Sequence, residues 1–224
     1  MSSVVRLFWL GVLFVSCLLG LARATTDLSL SAVFTSVFYQ NQSDTYGERS
    51  RVILSGWESM LNESLLIDEL EQLVRSNSYA NQQVQYATDP NHWKVNDYWA
   101  TPVESLVTGK GDCEDYAILK YMSLRAMGVA EDKLRLMYVR ALDYDEPHMV
   151  LIYYEQPNEF PLVLDNLKSE ILPANERLDL KPIYSFNTQG LWLAKATAQG
   201  NKIRDNSGSK SWEQMVQKIQ QERI

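Results

Sequence analysis

Apolar residues change their spacing part-way along this chain. Between residues 49 and 80 they recur at about 3.6 positions: Val52, Ile53, Leu54, Trp57, Met60 and Leu61, then Leu65, Leu66, Leu70, Leu73 and Val74. That period predicts helix, and the polar stretch 62–64 divides it into two. Both stripes are expected to be core. Residues 25–48 are polar and mixed, with some helix. Residues 81–96 carry Asn, Gln, Asp and Pro without periodicity and read as loop, with room for one short helix. A short helix is expected over 99–107, ending at Gly109, and 109–111 reads as a flexible turn. A longer helix opens directly after it, with Ala117, Ile118, Tyr121, Met122, Leu124 and Ala126 as buried positions and Gly128 closing it.

Beyond Gly128 the pattern is that of strands. Residues 134–139, 149–154 and 161–165 are short apolar runs, and 183–194 supplies one or two more. Short polar loops separate them, as antiparallel neighbours require. Residues 201–209 read as a polar linker before a last amphipathic helix, about 209–222. Helices first and strands second predict an α+β domain, with helices packed on an antiparallel sheet. The chain shows no repeat or internal boundary; one domain is expected over 25–224, its core about 45–195.

The first 24 residues stand apart. Arg6 precedes a charge-free, largely apolar run at 7–21, and Ala22-Arg23-Ala24 offers small residues at a cleavage site. This predicts a secretory signal peptide, cut after Ala24, and an exported, soluble product outside the cytoplasm. The run is short for a membrane span; an uncleaved anchor is the alternative. Losing Arg6 and Arg23 takes the net charge from −7 to −9, which argues against nucleic-acid or anionic-membrane binding. Cys17 leaves with the signal. Cys113 then has no partner for an internal disulfide, and is either a buried apolar residue or a reactive thiol.

Its surroundings favour reactivity. Cys113 follows a Gly-rich turn and sits in the first turn of a predicted helix, where unpaired backbone amides and the helix dipole stabilise a thiolate. A base is needed, and the histidines are His92 and His148. His92 lies in a loop. His148 precedes the 149–154 strand, and Asp165 ends the next. If the two strands pair antiparallel, His148 and Asp165 share one rim, and the carboxylate can orient the imidazole toward the thiol.

The blocks Gly111-Asp112-Cys113-Glu114-Asp115-Tyr116-Ala117, His148-Met149-Val150-Leu151 and Leu164-Asp165-Asn166 resemble the bacterial transglutaminase-like cysteine proteinases of the LapG type. The resemblance spans about 45–195. It implies a papain-like fold and a catalytic set Cys113, His148 and Asp165. It also implies a large surface adhesin as substrate, cut near its N-terminus at a pair of alanines to control biofilm attachment. A LapD-like inner-membrane receptor for cyclic di-GMP would be the sequestering regulator.

Asp112, Glu114 and Asp115 suit a helix N-terminus. Three carboxylates beside a thiol nevertheless raise its pKa by like-charge repulsion. A divalent cation resolves that conflict, and the resemblance implies the same. Asp112, Glu114 and Asp115 are therefore expected to hold Ca²⁺. The backbone amide of Cys113 is the expected oxyanion donor; Trp99 is a weaker candidate, more readily explained as a buried aromatic. Acyl transfer to an amine on the same triad, and a non-catalytic exported binding module, are the alternatives.

Overall fold

The computed structural model describes residues 33–194 and 200–222; the expected signal peptide at 1–24, with Cys17, lies outside the described residues. Helix α1 (Ser36–Tyr46) starts at Thr35, whose hydroxyl accepts from the Phe38 amide. Helices α2 (Arg49–Glu63) and α3 (Glu69–Gln83) follow, so the expected break is real. Asp68 caps α3 by accepting from the Glu71 amide at 2.9 Å. The apolar stripes are only partly core. Leu54, Trp57, Leu61 and Leu73 are buried, whereas Val52, Leu65, Leu66, Leu70 and Val74 are exposed. Leu65 and Leu66 fall in the turn between the helices, and the other three on sides that nothing covers.

The stretch read as loop and flexible turn is more ordered than expected. Helix α4 (Asp89–His92) is the short helix allowed for there, and strand β1 (Gln85–Tyr86) is the element not expected. Helix α5 (Pro102–Thr108) begins three residues later than predicted, because Pro102 disfavours helix at the residue before it. Thr101 and Glu104 then form a reciprocal capping box, and Gly109 ends α5 with φ +64°. Residues Lys110–Gly111 are not a flexible turn but strand β2, paired parallel with β1. Helix α6 (Cys113–Ala126) opens directly after it.

The sheet contains β3 (Leu134–Ala141), β4 (Glu146–Tyr153), β5 (Leu162–Leu164), β6 (Leu172–Pro173), β7 (Leu180–Asn187), β8 (Gly190–Leu193) and β9 (Asn201–Arg204). Its spatial order is β6-β5-β4-β3-β7-β8-β9, antiparallel throughout. The polar stretch at 201–209 was expected to be a linker. Its first half instead pairs as β9 with β8, and because all four of its residues are exposed no hydrophobicity pattern marks the strand. Helix α7 (Lys210–Glu222) closes the described chain. No helix among the described residues is long and apolar enough to cross a membrane.

Side chains alternate across the sheet. Leu134, Leu136, Met149, Leu151, Tyr153 and Leu164 join the main core with α6, which packs on β3 and β4. Met137, Val139, Val150, Ile152, Tyr154 and Val163 form a smaller cluster on the other face. The helical layer is fastened by the buried Trp57 indole, which donates to Ser123 Oγ at 3.0 Å. Residues such as Leu54, Leu73 and Ile118 lose nearly all exposure, each contributing roughly 1.5–3 kcal/mol. Helix α7 reaches back to the segment before α5: Ser211 Oγ donates to Asp97 Oδ2 (3.0 Å), and Lys218 Nζ donates to the Trp99 carbonyl (2.8 Å).

Candidate active site

Three elements bring the site together. Strand β2 delivers the start of α6 to the rim of the sheet: the Gln85 amide donates to the Gly109 carbonyl and the Ala87 amide to the Gly111 carbonyl, both at 2.9 Å. Cys113 is the first residue of α6 and is partly buried. Its thiol donates to Glu114 Oε2 at 3.0 Å. Burial first, then the charges of Glu114 and Asp112, push this thiol well above its ordinary pKa, against a smaller lowering by the Met149 backbone. The repulsion expected from the acidic flanks is therefore present.

His148 lies inside β4 rather than before it, and β4 pairs antiparallel with β5, Leu151 opposite Leu164. Asp165 directly follows β5, so the register sets it beside His148. Nε2 of His148 and Oδ1 of Asp165 are 2.8 Å apart. Nδ1 is thereby left as the ring atom able to exchange a proton with a thiol. The Leu167 amide also donates to Asp165 Oδ1 (3.1 Å), and the Arg177 guanidinium donates through Nη2 to Oδ2 (2.6 Å). Burial alone would raise the Asp165 carboxyl; the hydrogen bonds and charges of His148 and Arg177 override it and hold the group well below the usual carboxylate range. Cys113 and His148 line one cleft, walled by Tyr86, Tyr144, Pro147 and Leu167.

A dense acidic cluster adjoins Cys113. Asp112 and Glu114 belong to it, as do Asp89 of α4 and Asp97 of the segment before α5. Carboxylate oxygens of Asp89, Asp112 and Asp115 lie within 4.8 Å of one another, as do those of Asp89, Asp97 and Glu114. Burial, then Glu114, raises Asp112 to about 10; burial raises Asp89 to about 6. Asp115 is fully buried and spends its oxygens on the backbone amides of Ala100 (2.8 Å) and Asp112 (3.2 Å). Oδ1 of Asp89 and Oδ1 of Asp112 are buried acceptors without a donor. These two acceptors, from α4 and the start of α6, with Asp97 and Glu114 beside them, fit a hard, oxygen-seeking cation.

The bacterial transglutaminase-like cysteine proteinase family model matches residues 58–179, which include the thiol, the imidazole and the carboxylate. The chain belongs to this family of cysteine proteases. Among solved structures, LapG of Legionella pneumophila in an EGTA-treated form is 40% identical, covering 81% of this chain and 95% of that one with a TM-score of 0.71. A calcium-bound form of the same protein is 39% identical, covering 81% of this chain and 97% of that one with a TM-score of 0.70. No curated protein sequence matches significantly. The α+β, papain-like architecture expected from the sequence is the one this transglutaminase-like proteinase has.

Two other sequence candidates do other things in this proteinase. Trp99 lies in the extended segment before α5; its indole N–H donates to Asp97 Oδ1 at 3.2 Å and its ring stacks on Phe186. Nε2 of His92 pairs with Thr108 Oγ1 at 3.1 Å, and His92 does not line the cleft. Asp89, Asp97 and Arg177 were missed by sequence reasoning. The first two carry no spacing signal toward Cys113, because only the β1–β2 pairing and the α5 turn bring them near it.

Proposed function

We propose that the chain is a calcium-dependent endopeptidase in which Cys113 is the nucleophile, His148 the base and Asp165 the group that orients the base. The observation that carries this reading is the buried 2.8 Å bond between His148 Nε2 and Asp165 Oδ1, beside the cleft that Cys113 lines. His148 takes the thiol proton at Nδ1, and the sulphur attacks the scissile carbonyl carbon. The Cys113 backbone amide, at the open end of α6, is placed to stabilise the oxyanion. The imidazolium then returns its proton to the leaving amine. Water, deprotonated by His148, hydrolyses the thioester and frees the thiol. Asp165 stays ionised throughout and fixes the tautomer.

Calcium would be held by Asp112, Glu114 and Asp115, with Asp89 and Asp97 completing the cluster. When bound it would supply positive charge beside a thiol that burial, Glu114 and Asp112 together hold well above its ordinary pKa. Calcium in the 39%-identical relative supports this assignment. The substrate reading is a large surface adhesin cut at a di-alanine site in the periplasm, with a LapD-like cyclic di-GMP receptor as regulator of biofilm attachment. Bulky cleft walls, Tyr86, Tyr144 and Leu167, support small residues at the cut.

The test is cleavage of an adhesin N-terminal fragment by the wild type and by Cys113→Ala, with a labelled amine present. Cleavage by wild type alone, with no amine incorporated, is expected. Cleavage by Cys113→Ala ends the proposal, and amine incorporation turns it into acyl transfer.

A further inference from the structure

We propose that Arg177 is a positioning residue for the reaction: it clamps Asp165 from the face of the sheet opposite α6, so that the carboxylate keeps both its charge and its aim at His148. This rests on the triad reading above. Arg177 is buried, and Nη2 donates to Asp165 Oδ2 at 2.6 Å. The same guanidinium is itself fixed, with Nε 2.9 Å from Asp179 Oδ1 and Nη2 2.7 Å from Asp179 Oδ2. A planar fork can hold two carboxylates in one fixed relation; an ammonium cannot.

The consequence for Asp165 is geometric. Oδ1 receives His148 and the Leu167 amide, Oδ2 receives Arg177, and the Asp165 carbonyl accepts from Asn81 Nδ2 at 2.9 Å. Rotating the carboxylate would break bonds on both oxygens. Arg177 does not reach the substrate cleft. It lies with Val139, Val150 and Val163 beside the smaller apolar cluster, so any effect on the reaction passes through Asp165. The charged groups around Asp165 are His148 of β4, Arg177, and Lys120 of α6; Asp179 stands behind Arg177, with Lys168 3.7 Å from it. Burial works to protonate Asp165, and Arg177 is one of the two side chains bonded to it that oppose this.

Without the guanidinium, Asp165 takes up its proton at higher pH. The imidazole then loses its anionic acceptor, and the acid limb of the rate profile moves toward neutrality. The experiment measures two things across pH: kcat and KM for a peptide substrate, and the rate of Cys113 alkylation by iodoacetamide, read by mass spectrometry on its peptide. The variants are Arg177→Gln, Arg177→Lys, Asp179→Asn and, as a reference, His148→Ala. Arg177→Gln is expected to lower kcat roughly ten- to hundredfold, the range found for groups that orient a ligand from behind. KM should stay within about twofold and the acid limb should rise by about one pH unit. Arg177→Lys should recover part of kcat, and Asp179→Asn, which frees the guanidinium to turn while leaving its charge beside Asp165, should lower kcat less than Arg177→Gln does. A folded Arg177→Gln whose acid limb does not move overturns the proposal. If Arg177→Gln does not fold, an unchanged kcat in both Arg177→Lys and Asp179→Asn does so instead. An alkylation profile indifferent to His148→Ala would refute the triad reading itself, and is distinguishable from a failure confined to Arg177.

Discussion

Gly111 stands two residues before Cys113, and replacing it with Ala is the most informative single change outside the triad. A Cβ built there meets Asp115 Cβ and Oδ2, each at 2.7 Å. Ordinary contact begins near 3.4 Å, so Asp115 must move by about 0.7 Å. It has nowhere to go: it is fully buried and accepts from the amides of Ala100 and Asp112. Overpacking costs roughly 1–3 kcal/mol. Each amide left without its acceptor costs roughly 1–3 kcal/mol more, and the stiffer unfolded chain returns only about 0.4–1 kcal/mol. The net loss is on the order of 3–5 kcal/mol, or a melting temperature lower by about 10 °C. Gly56→Ala is the control. It lies in α2 with its nearest neighbour, Tyr79 Oη, at 4.0 Å, and should stabilise by about 0.5–1 kcal/mol. The assay is thermal unfolding of wild type and both variants at one calcium concentration. Gly111→Ala melting within about 2 °C of wild type would refute the claim that Asp115 pins the start of α6.

Asp165→Asn should fold yet lose about four orders of magnitude in kcat, because an amide nitrogen toward Nε2 forces the proton onto Nδ1, where the thiol proton must go; activity within tenfold of wild type would remove Asp165 as orienter. Chelation with EGTA should lower the melting temperature, since a ligand at a hundred times its Kd adds about 2.7 kcal/mol; identical melting with and without calcium, at any excess of metal, would remove calcium from the reading. Lys120 is buried on α6, and burial lowers its pKa to about 7. The unfolded chain therefore binds this proton more tightly between about pH 7 and the ordinary lysine value, and stability should rise with pH across that window. Lys120→Met should be more stable at pH 7 and lack that rise; urea titrations at pH 7 and pH 9.5 with equal slopes of stability in both proteins would contradict it.

The order of helices and strands was legible because α2, α3, α6, β3, β4 and β5 each bury an apolar face that leaves its period in the sequence. The short loop between β4 and β5 allows an antiparallel pairing, the condition for His148 and Asp165 to share a rim; the structure has that pairing, and it carries the two residues to one place. What the sequence hid depended on neighbours rather than on period. Strand β9 is exposed along its length, so no alternation marks it. Residues 109–111 looked flexible, since two glycines carry no side chain to show that β1 pairs with them. Val52 and Leu70 satisfy a helical stripe and yet face solvent, because periodicity reports a face and not what covers it. Arg177 was invisible for a related reason: a lone Arg in a loop signals nothing until the fold places Asp165 and Asp179 on either side of it.

The contacts of α7 give the protein an optical consequence. Asp97 shares its carboxylate between the Trp99 indole and the Ser211 hydroxyl, so a cation that draws on Asp97 competes with both. Ser211 adjoins Trp212, whose buried ring stands edge-on to Tyr121 and Phe186, and Trp99 stacks on the same Phe186. Loading the acidic cluster should thus change the environment of two indoles that touch one phenyl ring, which makes intrinsic tryptophan fluorescence a label-free gauge of metal occupancy.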